Sequence, residues 1–272
     1  MNRRSSLVAR RSNERPRPLH EEDGSEPELA VVNGNGNGRA PKLPIINGEL
    51  VDPAEVAADV ERMGPEEAIA WAIDTFDPAL RFAISFQKTS SVTIDIAHRI
   101  NPAASFFYID TELLFPETYE TRDRLAEHFG IEFDRFVQEN PPGLRERWDA
   151  GEWGPADECC APRKVATMRR ALVGIDCWVS GVRRVDSDTR SKAPKFGWDK
   201  RFGLWKLNPL ADWDDKQIWN HIKDNHVPYN PLHDKGYPSI GCMPCTSAPD
   251  EGEDARAGRW AGTDRTECGI NG

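Results

Sequence analysis

Between residues 81 and 225, short apolar runs alternate with amphipathic stretches, and this alternation restricts the fold more than any other feature. Residues 81–85, 105–109, 131–137 and 176–181 are short and apolar, as buried strands are. Residues 89–100, 116–129, 161–172 and 213–225 read as helices. So do 53–63 and 65–76, each opened by a proline. Strands alternating with helices predict an α/β fold, a parallel sheet with helices on both faces. Ligands of such sheets sit at the carboxyl ends of the strands. From residue 228 onward the chain is turn-rich, which predicts a segment that wraps the site rather than extends the sheet. Residues 1–45 read as a disordered tail, rich in Arg, Ser, Glu, Pro and Gly. The remainder, 46–272, reads as one domain with a C-terminal arm from about 247.

Charge and cysteine usage narrow the function. A net charge of −10 argues against general nucleic-acid binding. No run approaches the length of a membrane span. Six cysteines without an apolar signal segment suggest a reducing, cytoplasmic setting and metal or catalytic use. Four of them stand out: Cys159 and Cys160, adjacent, and Cys242 and Cys245 in a C-x-x-C spacing. The spaced pair is an ordinary half-site for a metal. The adjacent pair is not, because neighbouring side chains on a helix point about 100° apart and fit poorly around one tetrahedral ion. An iron–sulfur cube offers a separate iron to each sulfur, and four thiolates is its ligand count. Structural zinc and reduced core thiols are the other readings of these four residues.

The first strand-to-helix turn, Ser85-Phe86-Gln87-Lys88-Thr89-Ser90-Ser91, combines hydroxyls, a lysine and helix-start amides into a candidate anion-binding corner. It is not a Walker loop, since the Gly-Lys-Ser/Thr ending is absent, and it lacks the glycines of a Ser-Gly-Gly-x-Asp-Ser signature, which weakens the reading as a pyrophosphate-releasing ATP loop. The second strand ends in Asp110-Thr111, where a nucleotide sugar or base would lie or where a helix is capped. Cations gather at Arg163 and Lys164, from Gly181 through Arg183, Arg184 and Arg190, and at Arg256 and Arg259. In so acidic a chain this reads as a composite site for a small, multiply charged anion, since arginine forks suit phosphate and sulfate oxygens. Cys177, inside an apolar run, reads as a core residue. Cys268, four residues from the end, has no packing duty and reads as incidental or as a nucleophile on a movable arm.

Together these pieces resemble the adenylyl-sulfate / phosphoadenylyl-sulfate reductase family, in its cluster-containing branch, over residues 55–272. The carriers are Ser85-Phe86, Asp110-Thr111 and Cys159-Cys160 with Arg163-Lys164, then Gly181 to Arg184, Ser187 to Arg190 and His233 to Tyr237. Phe115 to Tyr119, Asn208 to Leu210, Ser239 to Thr246, Gly258 to Trp260 and Glu267-Cys268-Gly269 complete the set. The resemblance implies an adenine-nucleotide α-hydrolase-like (Rossmann-like) fold. It implies a 4Fe-4S cluster on Cys159, Cys160, Cys242 and Cys245, with Lys164 linking cluster and substrate. The substrate implied is adenosine 5′-phosphosulfate, reduced to sulfite and AMP through an S-sulfocysteine on Cys268 that thioredoxin or glutaredoxin resolves. A homo-oligomer is compatible with this. The substrate-binding set implied is Ser85, Phe86, Lys88, Thr89, Asp110, Thr111, Lys164, Gly181, Arg184, Arg190, Arg256 and Arg259. The chain departs from the family at Glu112-Leu113, where Gly-Arg is common, at Gln87-Lys88-Thr89, and at Asn271, where His is common. The competing readings are the same reaction on 3′-phosphoadenosine 5′-phosphosulfate, a non-catalytic zinc or iron–sulfur interaction module, and an ATP-consuming thiolation enzyme.

Overall fold

The computed structural model describes residues 45–46, 49–138, 150, 159–260, 267 and 269–271, all within one compact unit, Arg39–Gly272. The expected tail lies outside the described residues except for its last position. Two short strands, β1 (Ile45–Ile46) and β2 (Glu49–Leu50), pair antiparallel. Helix α1 (Pro53–Arg62) starts where Asp52 Oδ1 accepts the Ala54 amide at 2.7 Å, with proline at a position whose amide has no helical partner. Helix α2 (Pro65–Phe76) opens on proline in the same way and buries Ala68, Ile69, Ala72 and Phe76.

The rest is built on a six-stranded sheet. Its members are β3 (Leu80–Ala83), β4 (Phe106–Asp110), β5 (Asp134–Val137), β6 (Cys177–Val179), β7 (Phe196–Asp199) and β8 (Leu204–Leu207). Between them run α3 (Lys88–Ile100), α4 (Pro116–Phe129) and α5 (Thr167–Ala171), and α6 (Asp215–Asp224) follows. The strand order is β5-β4-β3-β6-β8-β7, parallel throughout except for the β7–β8 pair. Alternate strand residues go to opposite faces. Leu80, Phe82, Phe106, Tyr108, Cys177, Val179, Trp205 and Leu207 share one apolar cluster with residues of α1, α2, α3 and α6. Phe107 and Trp178 share a second with Met168, Ala171 and Leu172, around α5. Helices therefore cover both faces of a mostly parallel sheet, as the alternation requires.

Three elements differ from the sequence reading. The strand expected at 131–137 is confined to Asp134–Val137. The helix expected at 161–172 begins as a π-helix, Ala161–Ala166, and becomes α5 only at Thr167. The β7–β8 pair was not anticipated. Its strands are four residues each, held by aromatic contacts: Phe196 stacks on Trp205 at 5.0 Å and Trp198 meets Trp205 edge-on at 5.2 Å. After α6 the described chain forms only 3-10 turns and isolated bridges and wraps back over the sheet, as expected.

The chain builds outward from β3 to β4 to β5, then returns to the other side of β3 with β6. The chain leaves β3 toward β4 on one side and β6 toward β8 on the other, which makes this the switch point at whose crevice doubly wound sheets take ligands.

Candidate active site

A cavity of about 370 Å³ occupies that crevice. Ser85, Phe86, Lys88 and Thr89 reach it from the β3–α3 turn, Thr111 from the end of β4, and Gly181 from the end of β6. Lys164 comes from the π-helix and Arg190 from the turn after β6. Arg256 and Arg259 come from the C-terminal wrap. Its remaining wall is partly apolar, with Phe107, Ile109, Met168, Trp178 and Ile270.

Two expected residues are not on that wall. Arg184 is turned away: its Nη2 lies 2.7 Å from Glu61 of α1 and its Nε donates to the Ala193 carbonyl at 2.9 Å. Arg183 lines the cavity in its place. Asp110 is buried beneath the turn it belongs to. Its carboxylate accepts the Glu112 amide, the Tyr119 hydroxyl and Arg135 Nε, each at 2.7 Å. It shapes the loop that follows rather than facing the cavity. That loop meets the cysteines: Leu113 C=O accepts the Met243 amide at 2.7 Å, and Thr111 Oγ1 lies 3.2 Å from Cys242 Sγ.

The β3–α3 turn is tied down by the C-terminal wrap. Gln87 Oε1 accepts the Ile240 amide at 2.8 Å, and Asn230 Nδ2 donates to the Phe86 carbonyl at 3.4 Å. His233 Nε2 accepts the Lys88 amide at 3.1 Å, while its Nδ1 faces the Tyr237 carbonyl at 2.7 Å. These two partners require a neutral imidazole with its proton on Nδ1. Burial and the Lys88 charge lower its pKa to about 4, against the opposing pull of that carbonyl. The first amide of α3 is thus already satisfied. Ser90 and Ser91 are buried, with Ser90 Oγ accepting the Ser85 amide at 3.0 Å. The anion corner read from sequence reduces here to Ser85, Phe86, Lys88 and Thr89.

Acids meet the cavity cations. Asp215, at the start of α6, contacts Lys88 Nζ at 2.8 Å and Arg183 Nη1 at 2.7 Å. Glu267 takes Arg190 through two contacts, 2.6 and 2.8 Å, and Arg256 at 3.1 Å. Burial works to raise the Glu267 pKa, but Arg190, with Arg256 and Arg259, outweighs it and holds the carboxyl below its ordinary range. Arg259 runs past Gly241 to donate to Ser239 Oγ at 3.1 Å and the Ile240 carbonyl at 3.2 Å, over the Trp260 ring.

Cys159 and Cys160 open the π-helix, and Cys242 and Cys245 bracket a 3-10 turn. The Cys159 thiol is pushed up to about 11, by burial first and then by Cys160, Cys242 and Cys245 nearby. The Cys245 thiol is raised by burial, then by Cys242 and Cys160. Thiols from two distant segments thus lie near enough to act on one another's charge. Among the described residues no three His, Cys, Asp or Glu side chains are arranged to hold a single metal ion. Trp260, whose amide donates to the Cys245 carbonyl at 3.0 Å, joins this group to Arg256 and Arg259 at the cavity. Cys177 is fully buried in β6, its thiol pushed well up by burial, as a core residue should be. Cys268 lies outside the described residues.

Sheet order, crevice and cation-lined cavity define an α/β protein of the adenine-nucleotide α-hydrolase type. Residues 79–248 match the profile of the phosphoadenosine phosphosulfate reductase domain. The chain belongs to that family. It is 38% identical over 222 residues to the adenosine 5′-phosphosulfate reductase of Staphylococcus haemolyticus, spanning 79% of this chain and 90% of that one. The protein of the same name from Rhodococcus erythropolis is 37% identical over 226 residues, spanning 79% and 91%. Among solved structures, the phosphoadenylyl-sulfate (PAPS) reductase of Candida auris, a phosphate complex, superposes with a TM-score of 0.62 at 27% identity. The match covers 72% of this chain and 97% of that one. The FMN adenylyltransferase of Candida glabrata shares the fold at 13% identity, with a TM-score of 0.51 over 76% of this chain and 73% of its own.

Proposed function

We propose that this protein reduces adenosine 5′-phosphosulfate to sulfite and AMP. The observation that carries the reading is one cavity lined by Lys88, Lys164, Arg183, Arg190, Arg256 and Arg259 in a chain of net charge −10, beside a group of four cysteines. A thiolate approaching a sulfate ester is an anion meeting an anion, and these cations offset the repulsion. The apolar wall suits the adenine, and the hydroxyls of Ser85 and Thr89 suit the sugar and phosphate.

In the reaction, Cys268 thiolate attacks the sulfate sulfur. An S–S bond forms, the S–O bond to the phosphate breaks, and its electron pair leaves on AMP. Cys268 is left as an S-sulfocysteine. A thiolate of an external dithiol protein, thioredoxin or glutaredoxin, then attacks Cys268 Sγ and expels sulfite. The second thiol of that protein releases Cys268 and leaves as its disulfide. Two electrons thus pass from the dithiol to the sulfur. An outside dithiol donor fits a reducing compartment, the cytoplasm.

Cys159, Cys160, Cys242 and Cys245 would hold a 4Fe-4S cluster. The reading is supported by thiols from two segments that lie near enough to act on one another's charge, and by a thiolate count of four, which is what such a cluster takes. When bound, the cluster supplies a fixed charge centre beside the substrate cations. Thr111, against Cys242 Sγ, and Lys164 stand between the two.

Mass spectrometry of the anaerobically purified protein, mixed with adenosine 5′-phosphosulfate and no reductant, tests the reading. An adduct with the mass of SO3 is expected on the Cys268 peptide alone. No adduct, or one elsewhere, defeats it. Rates with 3′-phosphoadenosine 5′-phosphosulfate are expected to be lower, and equal or higher rates would move the assignment to that substrate.

A further inference from the structure

We propose that Glu267 is a positioning residue whose carboxylate latches the C-terminal arm onto Arg190 and Arg256, so that arm docking and anion binding compete for the same two guanidinium groups. The proposal rests on the reading of Cys268, the next residue, as the nucleophile.

The contact is built rather than incidental. Both Glu267 oxygens meet the Arg190 fork, Oε1 to Nε at 2.6 Å and Oε2 to Nη2 at 2.8 Å, and Arg256 Nη2 adds 3.1 Å. The side chains are only 9% and 11% exposed, so the pairs are shielded from water and salt. A planar carboxylate seated two-to-two on a guanidinium uses the geometry that sulfate or phosphate oxygens use. Arg190 and Arg256 also line the cavity. Glu267 therefore stands where oxygens of an arriving anion are best bound.

The arm has a second set of anchors beyond position 268. The Gly269 carbonyl accepts from Arg201, and Ile270 packs against the apolar cluster of Met168 and Trp178. Asn271 Oδ1 accepts from Lys206 Nζ at 2.8 Å. These contacts involve neither Arg190 nor Arg256, so an anion that displaces Glu267 frees one end of the arm and leaves the other held. Asp215 also pairs with cavity cations, but it starts a helix and carries no arm with it.

Competition gives the same sign to binding and to adduct formation at low nucleotide. In the full-length chain carrying Cys268→Ser, adding Glu267→Gln is expected to lower the Kd for adenosine 5′-phosphosulfate about three- to tenfold, because no carboxylate has to be displaced. With Cys268 present and the nucleotide well below its Kd, Glu267→Gln is expected to speed single-turnover adduct formation by a similar factor, because no carboxylate competes for Arg190 and Arg256. General damage to the fold would weaken both. An unchanged or raised Kd in Glu267→Gln overturns the latch. A second measurement needs no change at Glu267: the nucleotide should speed amide exchange in the C-terminal peptide of the Cys268→Ser chain, and slower or unchanged exchange overturns the latch too. If the unmodified protein binds the nucleotide but never carries an adduct on Cys268, the catalytic reading fails, while the affinity comparison still judges Glu267.

Discussion

Gly241 has no side chain because the Arg259 guanidinium fills the space where one would begin. Gly241→Ala must push Arg259 off Ser239 and Ile240. We expect a loss of about 1–3 kcal/mol in urea unfolding, as overpacking costs, together with a several-fold rise in KM. An unchanged KM would mean that Arg259 does not serve the substrate. Three non-glycine residues near the site sit in the left-handed region: Phe86 at φ 56°, Glu112 at 57° and Trp260 at 55°. Glu112 stands where the family resemblance leads one to expect glycine, and its φ is one that glycine takes without strain. Relief of roughly 1–2 kcal/mol of strain in Glu112→Gly is offset by the roughly 0.5–1 kcal/mol that glycine costs in chain entropy. Near-neutral thermal stability is the expected result, and a fall in Tm of more than about 4 °C, beyond what about 1 kcal/mol gives in a chain of this size, would contradict it.

At the scale of elements, the β3–α3 turn depends on a histidine 145 positions away for its first amide partner. His233 keeps a folded pKa of about 4 against about 6.5 in an unfolded chain. The native state therefore binds fewer protons between those values. The stability this contributes is present above pH 6.5 and is lost as pH falls through about 4. Wild-type Tm should fall over that window, and His233→Gln, which keeps an acceptor for the Lys88 amide and cannot titrate, should fall less steeply. Parallel slopes would show that His233 is protonated without cost. Element boundaries were legible wherever a local signal marks them: α2 and α4 begin at their prolines, and α4 ends at Gly130, which takes φ 64°. The π-helix after Cys160 has no such signal. The β7–β8 pair was missed because its cohesion lies in cross-strand aromatic contacts, which no single four-residue run displays.

Over the whole molecule, a net charge of −10 coexists with a cavity lined by six cations. Nucleotide binding should therefore weaken several-fold between about 0.05 and 0.5 M KCl, as the Debye length shortens and the charges at the cavity mouth are screened; calorimetry of the Cys268→Ser chain measures this, and salt-independent binding would argue against an ionic site. The alternation of apolar runs and helices determined the parallel sheet, its two covered faces and the crevice at its carboxyl edge, because backbone pattern is encoded locally. The identities of the cysteines and the stock of cations were equally plain. Tertiary structure decided which cation faces the cavity. Arg183 and Arg184 are neighbours with opposed directions, and only packing against Glu61 and Asp215 tells them apart. It also turned Asp110 down onto Tyr119 and Arg135, and brought Glu267 to Arg190 across 77 positions. Local sequence sets where the chain bends, but a side chain's partner depends on what the remainder of the fold places opposite it.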